Sequence, residues 1–116
     1  MHITVTGGAG YIGSHTLIEL FNHGGFSPIS LDNYTNSTPD NYDRIAKITG
    51  SLPNYEKLNT ADAKAVEHFF ESHSDIKGII HFAAHKAVGE SVDNPLKYYH
   101  NNIASLVNIL KAVEKH

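Results

Sequence analysis

Thr6-Gly7-Gly8-Ala9-Gly10-Tyr11-Ile12-Gly13 is the stretch that decides how this chain is read. Before it runs His2-Ile3-Thr4-Val5-Thr6, short and β-branched, the pattern of a strand. After it, Ser14 to His23 with apolar residues at Ile12, Leu17, Leu20 and Phe21 predicts a helix packed on one face. A strand, a glycine-rich turn and a helix in that order open a dinucleotide-binding βαβ unit. Two spacings fit: Gly8, Gly10 and Gly13 as G-x-G-x-x-G, or Gly7, Gly10 and Gly13 as G-x-x-G-x-x-G. Either way one glycine permits the sharp turn out of the strand. Another lets the backbone approach a pyrophosphate, and the last lets the helix lie close. The helix start then offers N–H groups and the positive end of its dipole to phosphates. A P-loop is excluded, because no Gly-Lys-Ser/Thr follows.

Working outward, helix and strand patterns alternate, which predicts an α/β fold with a parallel sheet. Gly24-Gly25 ends the first helix, and Phe26 to Leu31 predicts a second strand ending at Asp32. Pro39 begins a second helix, capped by Ser37 or Thr38, that runs to Ile48 and is closed by Gly50. Asn54 to Leu58 is a third strand, and Asp62 caps a helix through Ala65, Val66, Phe69 and Phe70. Lys77 to Phe82 is a fourth strand, apolar enough for burial on both faces. Pro95 precedes a last helix reaching nearly to His116. Its apolar residues Leu96, Tyr99, Ile103, Leu106, Leu110 and Val113 alternate three and four apart, and Val107 and Ile109 widen the stripe beyond one seam.

Asp32 stands 19 positions after Gly13, at the end of the second strand. A carboxylate there accepts hydrogen bonds from adenosine ribose hydroxyls and repels a 2′-phosphate, favouring NAD over NADP. Ala83 and Ala84, beyond the fourth strand, are small enough for a flat ring to approach, and Lys86 can place a charge beside it.

The chain of 116 residues suits one small domain. A formal charge of −3, with no basic block among 9 Lys and Arg, points away from nucleic acid and membrane partners. There is no cysteine, so disulfides and thiolate metal sites are excluded. The 9 histidines include no His-Glu-x-x-His, so no metal is expected. Strand residues from position 2 leave no room for a signal peptide, and no apolar run approaches membrane-spanning length. The expected location is the cytoplasm.

Several stretches together resemble the amino-terminal part of the UDP-glucose 4-epimerases, a family of extended short-chain dehydrogenase/reductases. They are Thr6 to His15, Leu31-Asp32-Asn33, Asn36-Ser37, Arg44-Ile45, Ile48-Thr49-Gly50, His81 to Ala84, Lys86 to Ser91, Pro95-Leu96, Tyr98-Tyr99 and Asn101-Asn102. The resemblance covers nearly the whole chain. It implies a partial Rossmann fold, a parallel sheet of about four strands in order 3-2-1-4 with flanking helices. Residues 1–116 are then the amino-terminal half of an NAD-binding domain, without the UDP-sugar domain.

The implied reaction is inversion at C4 of a UDP-hexose through hydride transfer to and from a resident NAD. By position, Gly7, Gly10, Tyr11, Ile12 and Gly13 meet the pyrophosphate. Asp32, Asn33, Tyr34, Thr35, Asn36 and Ser37 surround the adenosine ribose. Phe82, Ala83, Ala84, His85, Lys86 and Asn101 line the cofactor, and Lys86 and Val88 lie where nicotinamide and sugar meet. The family's adenine-binding Asp and the apolar residue after it are replaced by Asn59 and Thr60, and His85 stands where an apolar residue is common.

The resemblance also implies a catalytic Ser or Thr and a Tyr-x-x-x-Lys, and no Tyr-x-x-x-Lys occurs here. The expectation is an epimerase part with no catalytic residue of its own, inactive alone, that self-associates through the fourth strand and the last helix. The rival readings are a non-catalytic dinucleotide-binding or self-associating module and a part of another nucleotide-sugar epimerase or dehydratase.

Overall fold

A computed structural model of the protein describes residues 1–34, 38–83 and 95–115, without the side chains of Tyr98, Tyr99 and Asn101. The contacts divide into two units: Met1–Lys57 with Asp75–Phe82, and Leu58–Ser74 with the carboxyl-terminal segment.

The first unit holds β1 (His2–Thr6), α1 (Tyr11–His23), β2 (Ser27–Asp32), α2 (Asp40–Thr49), β3 (Asn54–Lys57) and, after an excursion into the second unit, β4 (Ile76–His81). All strands pair in parallel, in the order β3-β2-β1-β4 that the resemblance implies. β1 is central and buried, as its β-branched residues favour. Pro28 fits inside β2 for a specific reason. Ser27 donates its N–H to the Met1 carbonyl, toward β1, so Pro28 faces the other side. There pairing with β3 begins only at Ile29 and Asn54, and no ladder donor is missing.

On one face of this sheet Ile3 and Val5 meet Ala9, Leu17, Tyr42 and Ile45, so α1 and α2 share a core with β1. Within α1 the inward line runs through the buried Gly13 and Leu17 to the partly buried Leu20 and Phe21. Ile12, expected on the packed face, is instead 51% exposed. A neighbour of Gly13 points about 100° around the helix from it, and Gly13 is the residue that turns inward. α2 also differs from expectation at its start. Its N-cap is Pro39, with no side-chain cap, so Thr38 does not cap it. Thr38 contributes its carbonyl instead, which accepts from Asn41 N–H at 3.3 Å, and Ser37 lies outside the described residues. Gly50 closes the helix, its N–H on the Ala46 carbonyl at 2.8 Å. β4 is half-buried rather than buried on both faces, because it stands at the edge of the sheet order.

The second unit pairs α3 (Ala63–Ser72) with α4 (Pro95–Lys115). Asp62 caps α3 as the sequence predicts, accepting from Lys64 N–H at 3.1 Å and Ala65 N–H at 3.2 Å. Asn108 of α4 donates to the Thr60 carbonyl at 3.0 Å, and Lys115 pairs with Glu67. α4 buries Ser105, Ile109 and Ala112. Of the apolar stripe read from the sequence, Ile109 is buried, whereas Leu96, Ile103, Leu106, Val107, Leu110 and Val113 are exposed, and the side chain of Tyr99 lies outside the described residues. Among the described residues no helix is long and apolar enough to cross a membrane.

Tyr42 ties α2 to the sheet, its hydroxyl 2.7 Å from Ser30 Oγ and its ring stacked on Tyr55 at 4.2 Å. Burial raises its phenol well above the ordinary tyrosine range. Below about pH 10 the phenol is neutral in both folded and unfolded chains. Above that, the unfolded chain gives up a proton that the folded chain retains, so stability falls by about 1.4 kcal/mol per pH unit. Urea unfolding at about pH 9 and about pH 11 is expected to show a smaller loss in Tyr42→Phe than in the unaltered chain.

Candidate functional site

β1 leaves the sheet at Gly7, whose φ of 72° is the left-handed conformation glycine adopts without strain. Its N–H donates to the Leu31 carbonyl at 2.6 Å, so the turn stays attached to β2. At Gly8 a Cβ would lie 1.9 Å from Ser30 Oγ. At Gly13 it would lie 2.1 Å from the Gly7 carbonyl oxygen and 2.9 Å from Gly8 Cα. The last glycine of the motif therefore packs the helix start against the turn's own backbone. Gly7, Gly8 and Gly13 each have a separate steric reason, which is why both spacings fit.

Gly10 is the N-cap of α1 and supplies no side-chain acceptor, and the first turn carries no acidic residue. Gly10 N–H returns to the Gly7 carbonyl at 3.1 Å, and Ser14 N–H closes on the Gly10 carbonyl at 2.8 Å. α1 thus begins without the side-chain cap that Asp62 gives α3. Its first-turn N–H groups and positive dipole end form an anion-binding position. Tyr11 and Ile12 stand exposed beside it.

The strand register brings the remaining elements to the same level. Thr6 lies opposite Leu31 on one side and His81 on the other, so Gly7, Asp32 and Phe82 follow in one row past the carboxyl ends. Asp32 is only 8% exposed. Its Oδ2 accepts from Ala9 N–H at 3.1 Å and its Oδ1 from Tyr34 N–H at 2.8 Å. A carboxylate offers about four acceptor directions, so these bonds fix its orientation and leave capacity for a ligand hydroxyl. Tyr34 adopts φ 62°, rare for a residue with a side chain, and its ring stands edge-on to Tyr42. Burial raises its phenol above the ordinary range. Asn33, between the two, is half-buried.

On the β4 side, Thr6 Oγ1 accepts from Phe82 N–H at 3.0 Å and lies 2.6 Å from His81 Nδ1. Phe82 N–H also reaches the Thr6 carbonyl at 3.0 Å, which holds the exit of β4 against that of β1. Ala83 follows, half-buried. In the second unit, Asn59 Oδ1 accepts from Ala61 N–H at 3.0 Å, and Thr60 is buried.

The structure therefore brings Gly7, Gly10, Tyr11, Ile12, Gly13, Asp32, Asn33, Tyr34 and Phe82 to one end of the first unit. Thr35, Asn36, Ser37, Ala84, His85, Lys86 and Val88 lie outside the described residues, as does the side chain of Asn101.

Three residues that the sequence reading did not single out support the turn. Ser30 lies beneath Gly8, Tyr42 bonds Ser30, and Asn41 Nδ2 donates to the Ala9 carbonyl. The polar Ser30 between Ile29 and Leu31 was the available signal. Asn41 gave none, since its partner is a main-chain atom 32 residues earlier.

Comparison with known proteins gives a consistent result. The profile of the NAD dependent epimerase/dehydratase family matches residues 3–116. The UDP-glucose 4-epimerase of Bacillus subtilis is 47% identical over 116 residues, which are 100% of this chain and 34% of that protein. The crystal structure of UDP-glucose 4-epimerase from Bifidobacterium longum, in complex with NAD+ and UDP, is 44% identical with a TM-score of 0.93. The match covers 100% of this chain and 34% of that one. The enzyme from Stenotrophomonas maltophila, with bound NAD and formylated UDP-arabinopyranose, gives 38% identity and a TM-score of 0.91 over 98% of this chain and 33% of that one. The chain spans about a third of the length of these relatives.

The two clash distances set an order for substitutions in the turn. Gly13→Ala is expected to cost about 3 kcal/mol or more, since two backbone segments would have to separate. Gly10→Ala, whose Cβ would come no closer than 3.3 Å to the Gly7 oxygen, is expected to cost about 1 kcal/mol as a poorer N-cap. Urea midpoints of the two variants check the order.

Proposed function

Because the chain belongs to the NAD dependent epimerase/dehydratase family, we propose that it is the amino-terminal, NAD-binding part of a UDP-glucose 4-epimerase. The observation that carries this reading is the single row formed by the uncapped start of α1, the oriented Asp32 carboxylate and the β4 exit. The residues fit the group. The side-chain-free N-cap Gly10, where a Cβ would meet only the Gly7 oxygen at 3.3 Å, and the unused helix N-terminus suit a diphosphate, and a carboxylate with spare acceptor capacity suits a ribose diol.

In this proposal Gly7, Gly10, Tyr11, Ile12 and Gly13 hold the pyrophosphate, and Asp32, Asn33 and Tyr34 hold the adenosine ribose. Phe82 lines the cofactor, and by sequence position Asn59 and Thr60 are assigned to adenine and Ala83 to the cofactor. Thr35, Asn36, Ser37, Ala84, His85, Lys86 and Asn101 complete the enclosure by sequence position, with Lys86 and Val88 meeting the sugar. When bound, NAD supplies the acceptor and donor of the hydride that inverts C4 of a UDP-hexose. The chain's residues bind and orient, and Asp32 selects against a 2′-phosphate by charge repulsion. Proton transfer at the sugar hydroxyl requires an acid/base group that these 116 residues do not supply, since they contain no Tyr-x-x-x-Lys.

A second copy of this chain is the proposed macromolecular partner. Leu96, Ile103, Leu106, Val107, Leu110 and Val113 expose an apolar face along α4, and among the described residues β4 stands at the end of the sheet order. Light scattering at micromolar concentration is expected to report a dimer or larger. Leu106→Lys combined with Leu110→Lys is expected to shift it toward monomer.

Titration calorimetry checks the cofactor reading. The chain is expected to bind NAD at least about tenfold more tightly than NADP, and Asp32→Ser to narrow that ratio. A UDP-galactose assay of the same chain is expected to show no turnover. Equal affinity for both dinucleotides in the unaltered chain would contradict the role given to Asp32.

A further inference from the structure

Ala9 is held on both of its peptide groups. Its N–H donates to Asp32 Oδ2 at 3.1 Å, and its carbonyl accepts from Asn41 Nδ2 on α2. The orientation of the Asn41 amide follows from its neighbours. Arg44 Nη1, which can only donate, lies 3.3 Å from Asn41 Oδ1. The Ala9 carbonyl can only accept, so it must meet the NH₂ end.

Asn41 is itself firmly placed. The next residue, Tyr42, is bonded to Ser30 beneath Gly8, and Ile45, one turn further on, is buried in the core.

We infer that Asn41, oriented by Arg44, is a positioning residue that locks the Ala9–Gly10 peptide so that a bound diphosphate meets the N–H groups of the first turn of α1 and no carbonyl of the glycine-rich turn. This deepens the cofactor reading above and rests on it. The physical need is plain. In a trans peptide the N–H and C=O point in opposite directions. With its carbonyl drawn to Asn41, this peptide directs its N–H back to the Gly7 oxygen, 3.1 Å away. Rotation of that peptide would release both bonds and could turn carbonyl lone pairs toward the anion, replacing attraction with repulsion. Glycine at positions 7, 8 and 10 leaves the turn free to rotate in this way. Asp32 restrains only the preceding peptide, and the Gly7 oxygen belongs to the same glycine-rich turn, so the anchor from outside the turn is the one that α2 provides.

The test uses the full 116-residue chain and the variants Asn41→Ala and Asn41→Asp. The second keeps the shape but sets a carboxylate oxygen against the Ala9 carbonyl. In the ligand-free chain, amide hydrogen exchange at Gly10 is expected to quicken about tenfold or more in both variants, the factor that loss of one hydrogen bond of ordinary net strength represents. Exchange at Ile45 is expected to stay unchanged, which separates a local clamp from general loosening. NAD affinity is expected to fall about tenfold in Asn41→Ala and further in Asn41→Asp. Adenosine, which lacks the diphosphate, is expected to bind both variants as it binds the unaltered chain. Unchanged Gly10 exchange in both variants would overturn the clamp, as would equal losses for adenosine and NAD. If the unaltered chain takes up no NAD, the cofactor reading falls and the exchange rates alone decide the clamp.

Discussion

The Gly7 carbonyl oxygen occupies the space that a side chain at position 13 would need, with only 2.1 Å to an ideal Cβ. That exclusion governs the rest of the first unit. It lets the helix start fold directly onto the strand exit, which aims the uncapped first turn of α1 back over the carboxyl end of β1. The parallel register then adds the ends of β2 and β4 at the same level. The uncapped helix start, an oriented carboxylate and the exit of β4 share one level as consequences of one backbone contact and two parallel pairings.

Several polar groups at this end of the sheet pair with one another. Asp32 bridges Ala9 and Tyr34, and Thr6 joins Phe82 and His81. Ser30 bonds Tyr42, and Asn41 takes the Ala9 carbonyl. Buried polar groups without partners are costly, so each of these pairs opposes rearrangement of the turn. A site that binds by fixed main-chain donors gains from such support, because less ordering remains to be done when ligand arrives.

Much of this was legible in the residues. The β-branched run of β1, the glycine motif and the alternation of patterns led to the right element order, and the family resemblance to the strand order 3-2-1-4. Asp32 was found by spacing alone, because the end of β2 must lie beside the turn that follows β1. Long-range choices were less visible. Ile12 looked like a packing residue until Gly13 took the inward position. The α2 cap was misplaced because Pro39 occupies the cap position and offers no side-chain acceptor. Most of the α4 stripe, regular in spacing, is exposed, and the helix buries the small Ser105 and Ala112 beside Ile109 of that stripe. Asn41 was invisible for a related reason: a side chain that recognises a distant carbonyl leaves no periodic trace.

The central claim is that the main chain where β1 gives way to α1 cradles a dinucleotide diphosphate, with Asp32 on the neighbouring ribose. Crystals of the chain soaked with NAD test this most directly. The account predicts diphosphate density within hydrogen-bond reach of the N–H groups in the Tyr11–Gly13 turn, and ribose hydroxyls on the free sides of the Asp32 carboxylate. An empty turn at saturating NAD, or a dinucleotide bound elsewhere with Asp32 turned away from it, would contradict it.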